Sequence, residues 1–122
     1  MYDHVGLKVK DLGASVRFYK ALLAPLGHVH CSEGEGYAGF GPKDAPGFWI
    51  LAHKGETGLG THVAFKAPDR TAVERFHAEG LKAGGKDNGK PGLRPEYTEN
   101  YYAAFALDPD GHHVEAVTFS PT

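Results

Sequence analysis

The sequence predicts an α+β fold in which two tandem βαβββ modules form a curved mixed sheet around a cavity. Three observations support this prediction: the two halves repeat each other, each repeat opens with an alternating strand, and a helical pattern follows each strand. The length of 122 residues suits a single domain. We expect one domain over residues 1–122, with module 1 at about 1–57 and module 2 at about 58–122.

The internal repeat is the most informative of the three observations. Residues 4–27 (HVGLKVKDLGASVRFYKALLAPLG) align without gaps with residues 62–85 (HVAFKAPDRTAVERFHAEGLKAGG), and nine of the 24 positions are identical. The identical pairs include His4 with His62 and Asp11 with Asp69. Because chance gives about one or two identities over this length, the repeat indicates a duplication.

Each repeat opens with a strand that has one apolar face and one face carrying a histidine. A helix follows, with Asp11 or Asp69 as its N-cap. The apolar stripes of the two helices are predicted to pack on the apolar strand faces, so that the histidine faces point the other way. The stripe residues are Leu12, Val16, Tyr19, Leu22, Leu23 and Leu26, and then Val73, Phe76, Gly80 and Leu81.

The remainder of each half is predicted to form strands. In the first half they span about 28–33, 36–41 and 47–53, and in the second half about 100–107 and 112–119. The last two are joined by the DPDG sequence at 108–111, which is typical of a type I turn. Residues 86–101 show no regular pattern, and a connection of this length is either functional or contains an edge strand that the pattern does not reveal.

A metal site follows from the symmetry of the two repeats. Aligning Gly47–Ala52 with Gly111–Ala116 places Leu51 opposite Glu115, next to the paired histidines His4 and His62. Two imidazoles and one carboxylate bind a divalent metal and leave positions open for water or substrate. The alternative keeps His4 at the surface and neutralises Glu115 with a lysine or a histidine.

Weaker patterns suggest residues that contact a substrate. Two side chains share the predicted face of Leu51, one shares the face of Glu115, and several lie in or beside the irregular segment, where they could anchor an acidic or oxygen-rich ligand. Each also has a structural alternative as a packing residue, a dimer contact or a surface charge. The candidates are Trp49, His53, Arg94, Tyr97, Tyr102 and His113, with Tyr101 beside them; no catalytic base is identified.

Composition narrows the class of partner and the compartment. A net charge of -2 gives no electrostatic case for nucleic acid or an anionic membrane. The single cysteine, Cys31, excludes an intrachain disulfide and a zinc–thiolate cluster and favours a reducing, cytoplasmic setting. The amino terminus lacks the pattern of a signal peptide, and no apolar run is as long as a bilayer requires. The expected partner is a small molecule.

Three segments resemble the vicinal oxygen chelate superfamily, which includes glyoxalase I, extradiol dioxygenases, fosfomycin-modifying thiol transferases and bleomycin-resistance binding proteins. They are YDHVGLKVKDLGASVRFYKALLAPLG, THVAF and DPDGHHVEAV. The resemblance implies that His4, His62 and Glu115 hold a divalent ion (Fe, Mn, Zn or Ni). It also implies a homodimer, since family members commonly dimerise and some build each site from both subunits. Leu51 stands where glyoxalase I has a glutamate, which disfavours lactoylglutathione lyase activity.

The function expected from the sequence is therefore that of a metal-dependent enzyme acting on a small oxygen-rich substrate. The reaction would be of the lyase or isomerase, dioxygenase or thiol-transferase type found in this superfamily. The alternative is a metal-free protein of the bleomycin-resistance type that sequesters a small molecule between Trp49 and the tyrosines. Ligand binding that persists in a chelator would favour this alternative.

Overall fold

Each half of the chain folds as a strand, a helix and three further strands. The computed structural model describes residues 1–122. The first half contains β1 (Val5–Val9), α1 (Leu12–Leu23), β2 (Val29–Gly34), β3 (Tyr37–Gly41) and β4 (Phe48–Ala52). The second half contains β5 (His62–Lys66), α2 (Arg70–Lys82), β6 (Lys86–Leu93), β7 (Tyr102–Leu107) and β8 (His113–Thr118). The predicted α+β fold of two tandem modules is confirmed.

The eight strands form two four-stranded mixed sheets. Their orders are β1-β4-β3-β2 and β5-β8-β7-β6. The first and last strands of each module pair in parallel, and the other neighbours pair antiparallel. Each module therefore has the same topology, and its opening strand lies at a sheet edge next to its closing strand.

The helix boundaries follow from local chemistry. Asp11 and Asp69 have extended backbones, and each carboxylate accepts a hydrogen bond from the amide three residues later. A short 3-10 turn follows α1 and ends at Gly27, while Gly84 lies beyond α2. Both glycines have positive φ, which costs glycine little. Neither helix combines the length and apolarity that crossing a membrane requires.

The two modules share one hydrophobic core. We call the sheet face that packs on the helices the inner face and the opposite face the outer face. The inner-face rings of Phe48 and Phe65 meet edge to face across the module boundary, with centroids 5.1 Å apart. The helices also meet closely, since a Cβ added to Gly80 would lie 3.1 Å from Leu22 Cδ2. This second contact explains why α1 also buries Phe18, which the predicted stripe omitted.

Strand β6 occupies the segment for which no pattern was apparent. Its sequence, KDNGKPGL, contains two glycines and a proline, and its pairing with β7 is interrupted twice. Such bulges break the alternation from which strands are recognised. Asp87 anchors the strand to α2 by accepting a hydrogen bond from His77 Nε2 at 2.8 Å, so His77 has a structural role.

The 108–111 turn ties module 2 to module 1. Asp108 accepts a hydrogen bond of 2.5 Å from the buried hydroxyl of Tyr19 on α1. Asp110 accepts from the Lys10 amide at 2.9 Å and from the Thr57 hydroxyl at 2.5 Å. His112 Nε2 donates to the carbonyl of Lys8 at 2.8 Å. We call this set of contacts the module clamp.

Candidate metal centre

His62 and Glu115 meet on the outer face of the second sheet. Strands β5 and β8 pair in parallel with Ala64 opposite Glu115, so His62 and Glu115 point to the same side of the sheet. The His62 Nε2 atom lies 2.7 Å from Glu115 Oε1. Their sequence positions are 53 residues apart, and only the parallel pairing of first and last strands joins them.

Glu115 is buried, with 2% of its surface exposed, although it lies on the outer face. Its second oxygen, Oε2, accepts a hydrogen bond from the hydroxyl of Tyr101. Burial, followed by the interaction with Glu115, raises the pKa of Tyr101 to about 12. A buried carboxylate requires such partners, because burying a charge without compensation is costly. Both oxygens of Glu115 are thus held by titratable side chains.

A loop between β6 and β7 brings Tyr101 to this position. The amide of Arg94 donates to the carbonyl of Tyr101 at 2.7 Å and closes the loop at its base. The ring of Tyr101 packs against Tyr97 on one side and Phe119 on the other, at centroid distances of 5.1 and 5.4 Å. These contacts orient the hydroxyl toward the carboxylate.

The third predicted ligand, His4, does not join this pair within the chain. It lies just before β1, its side chain is 60% exposed, and its Nδ1 lies 2.7 Å from Asp3 Oδ1. No group of three or more metal-ligating side chains forms within the chain. His4 occupies in the first module the place that His62 has in the second.

The strand register corrects one equivalence between the modules. In module 2, Ala64, two residues after His62, pairs with Glu115. In module 1, Gly6, two residues after His4, pairs with Trp49 rather than with Leu51. Trp49 in module 1 is therefore the structural equivalent of Glu115 in module 2. The sequence alignment was two residues off in the last strands because it matched Gly47 with Gly111, whereas the strand register makes Phe48 the equivalent of Val114.

Other predicted contact residues fall into two groups. Trp49 lies on the outer face of the first sheet with its ring 5.9 Å from that of Tyr37, and the amide of His53 bonds to Val9 just beyond β4. Tyr97 and Arg94 belong to the loop over the second sheet, and His113 pairs with His62 in register.

Tyr102 lies on the other side of the second sheet. Its neighbours Tyr101 and Ala103 point toward the Glu115 side, whereas the Tyr102 hydroxyl donates to Glu74 on α2 at 2.6 Å. Tyr102 therefore does not share the sheet face of Glu115. Phe105 takes a place there instead: it pairs with Glu115, and its ring lies 6.3 Å from that of His62. The pairing of β7 with β8 across the 108–111 turn could have identified it.

The main pockets of the single chain lie elsewhere. The one with the most apolar lining, about 230 Å³, is at the module boundary between inner-face residues such as Val5, Phe48 and Phe65. Neither His62 nor Glu115 lines any of the three main pockets. On the outer face of the second sheet, the side chain of His62 is 51% exposed, whereas Glu115 is buried.

Comparison with known proteins identifies one family model that matches this chain. The model described as Glyoxalase/Bleomycin resistance protein/Dioxygenase superfamily matches residues 2–116. A glyoxalase/bleomycin resistance protein from Albidiferax ferrireducens T118 is 30% identical, with a TM-score of 0.82, and the match covers 96% of this chain and 97% of that one. A family enzyme from Burkholderia phytofirmans PsJN shares the fold at 17% identity, with a TM-score of 0.75 and coverage of 97% and 98%.

A variant of glyoxalase I from Zea mays is 26% identical to this chain, with a TM-score of 0.68. The match covers 95% of this chain and 45% of the maize chain. No curated protein sequence matches significantly. The family-model match, which extends over nearly the whole chain, and the shared module topology lead to one conclusion: this chain belongs to the glyoxalase/bleomycin resistance protein/dioxygenase superfamily.

Proposed function

We propose that this protein is a metal-dependent enzyme that acts on a small oxygen-rich substrate, with each site shared between two copies of the chain. His62 and Glu115 of one copy and His4 of a second copy would hold the metal. One observation carries the proposal: an imidazole nitrogen 2.7 Å from the oxygen of a buried carboxylate, on the face that the shared core leaves free.

The donor atoms fit a divalent transition metal. Imidazole nitrogen and carboxylate oxygen are ligands that Fe, Mn, Ni and Zn accept. A bound metal would replace the hydrogen bond between His62 Nε2 and Glu115 Oε1. Tyr101 would continue to hold the free oxygen of Glu115 and so orient the carboxylate. When bound, the metal would stabilise negative charge developing on substrate oxygens.

A second copy of the chain is needed because the inner faces of both sheets are already buried, and only the outer faces can meet another surface. The inner faces of both sheets are buried in the core that the two modules share within one chain. His4 is exposed, and no third ligand of this chain joins His62 and Glu115. A twofold arrangement of two copies would bring the outer face of one module 1 over the outer face of the other module 2. Two equivalent sites would result.

The remaining side chains of the two outer faces have roles in binding. Trp49 would form an apolar wall opposite Phe105 and limit the access of water. His113, exposed beside His62, is the titratable group that we propose exchanges a proton with the substrate. Because the module 1 equivalent of Glu115 is Trp49, three side chains rather than four would hold the metal, which would leave more positions for substrate oxygens.

Metal content tests the ligand set. We expect about one transition metal per chain in wild-type protein purified without chelator. His62→Ala, Glu115→Ala and His4→Ala should each lower that content severely, whereas His53→Ala, a matched histidine on module 1, should not. Wild-type protein that remains metal-free after incubation with Fe²⁺, Mn²⁺, Ni²⁺ and Zn²⁺ would contradict the proposal and favour a metal-free binding protein.

Mixing two variants tests whether the site is shared. When His4→Ala and Glu115→Ala chains are refolded together, each mixed dimer contains one site with all three ligands intact. Equimolar mixing should therefore restore about a quarter of the wild-type metal content, because about half of the dimers are mixed. A site built within one chain would stay broken in both variants, so a mixture without metal would contradict the shared site.

A further inference from the structure

The guanidinium of Arg94 is fixed beside the proposed metal centre. Arg94 follows β6, and its Nη2 atom donates to the carbonyl of Lys90 at 2.7 Å. Its Cζ lies 5.4 Å from the centroid of the Phe105 ring. Phe105 pairs with Glu115 and its ring approaches that of His62. One phenyl ring thus separates the cation from the metal-ligating pair, on the same outer face.

Two glycines of β6 create the space for this arrangement. A Cβ added to Gly89 would lie 2.7 Å from Phe105 Cδ1, and one added to Gly92 would lie 3.1 Å from Arg94 Nη1. Gly89 also has a φ of 150°, which disfavours other residues. The irregular composition of β6 is therefore explained by the side chains that it admits above the sheet.

The charge of Arg94 has no carboxylate partner in the chain. The ion pairs of the chain involve His4, His30, His62, His77 and Lys82, and none involves Arg94. Its side-chain hydrogen bonds go to the carbonyls of Lys90 and Leu93 only, the second at 3.4 Å. A guanidinium held by its neighbours keeps donors in a planar fork, which matches the two oxygens of a carboxylate.

We propose that Arg94 binds a carboxylate of the substrate, so that the enzyme acts on an anionic compound. The carboxylate would lie about one ring's width from the substrate oxygens that would bind the metal. This assignment rests on the proposed metal site and narrows the substrate from oxygen-rich compounds in general to oxygen-rich acids. Phe105 serves as the spacer that sets the distance between the two anchors.

A matched pair of chelators tests the assignment. Protocatechuate is a catechol with a carboxylate across its ring, and its methyl ester has the same vicinal oxygens without the charge. Calorimetric titration of Zn²⁺-loaded protein should show about tenfold or tighter binding of the acid than of the ester. Arg94→Gln should remove this preference without changing the affinity for the ester, and Arg94→Lys should retain part of it.

Arg70 provides a control on the other side of the sheet. Its guanidinium also stacks on an aromatic ring, that of Tyr102, with Cζ 4.8 Å from the centroid. Arg70→Gln should leave the preference for the acid unchanged. Wild-type protein that holds zinc but binds both compounds equally, or an Arg94→Gln protein that still prefers the acid, would overturn the role of Arg94 alone. Wild-type protein that holds no zinc and binds neither compound would overturn both the metal site and this inference.

Discussion

Glu115 could be identified from the sequence, whereas its hydroxyl partner could not be singled out. A glutamate between Val114 and Ala116 in an apolar strand is costly unless it is paired or coordinates an ion, and this cost made it a candidate. Tyr101 was one of several tyrosines near an irregular segment. Its contact with Glu115 depends on the fold of the loop from Arg94 to Tyr101, for which no local pattern exists.

Tyr101→Phe should weaken metal binding without unfolding the protein. The variant removes the hydroxyl that orients Glu115 Oε2, and the loss of such a partner typically lowers metal affinity by about 10- to 100-fold. Titration of the metal-free protein with Zn²⁺ measures the effect. Tyr97→Phe is the control, since the Tyr97 ring packs on Tyr101 without contacting the carboxylate. Equal zinc affinities for Tyr101→Phe and wild type would show that Tyr101 does not position this ligand.

At the scale of secondary-structure elements, the strands that open the two repeats were predicted well, whereas strand β6, whose sequence has no regular pattern, was not located. The alternation in β1 and β5 and the aspartate caps of both helices give clear local signals. Strand β6 gives none, because its glycines accommodate side chains from β7 and from the following loop. The pairing of Trp49 with Gly6 likewise depends on the register between strands, which a comparison of the two halves by sequence does not determine.

The outer face of the first sheet offers a direct test at this scale. A Cβ added to Gly39 would lie 2.6 Å from Trp49 Cζ3, so Gly39→Ala should displace the indole ring. Trp49 is the only tryptophan, and its fluorescence reports that movement without interference. We expect a shifted emission maximum and weaker binding of any ligand that contacts Trp49.

Gly13→Ala is the matched control for this test. A Cβ added at Gly13 on α1 would meet its neighbours at 3.5 Å or more, and alanine favours a helix over glycine by about 0.5–1 kcal/mol. This variant should be more stable than wild type and should keep the wild-type emission spectrum. An unchanged spectrum in Gly39→Ala as well would mean that the ring does not rest on Gly39.

At the scale of the whole molecule, the role of the 108–111 sequence only becomes visible in three dimensions. The sequence identified it as a turn, and the structure confirms the turn and adds the module clamp. The residues that Asp110 and His112 contact on β1 and just after it lie about 100 positions earlier in the chain. Such partners carry no local signature, so the packing of one module on the other could not be predicted from the pattern.

Removing one clamp contact should destabilise the whole molecule and leave the metal site intact. Tyr19→Phe deletes the hydroxyl that Asp108 accepts from, and leaving a buried polar group without its partner costs about 1–3 kcal/mol. Urea denaturation should show this loss of unfolding free energy, with wild-type metal content. Tyr2→Phe, at an exposed position, is the control and should unfold as wild type does.

Comparison of Tyr19→Phe with wild type should also show how the stability contributed by the Tyr19 hydroxyl depends on pH. Burial, together with Asp108, raises the pKa of Tyr19 well above its usual value of 10.0. The folded state therefore holds this proton more tightly than the unfolded state, so the stabilisation is complete below pH 10 and declines as the pH rises further. The stability difference between wild type and Tyr19→Phe should narrow above pH 10. If the stability difference between wild type and Tyr19→Phe stayed constant above pH 10, the raised pKa of Tyr19 would be contradicted.

The division between inner and outer faces has a consequence for how such a protein changes over evolutionary time. Along β1, β4, β5 and β8, each residue that maintains the core alternates with one that points away from it. Under the proposed function, a substitution at Trp49 or His113 would alter what the protein recognises without changing a side chain that packs on α1 or α2. The inner-face residues of these strands therefore stabilise the fold, and the outer-face residues of the same strands form the proposed site. If the proposed function holds, substitutions at every second residue of these strands would change the chemistry of the site while the core residues stay the same.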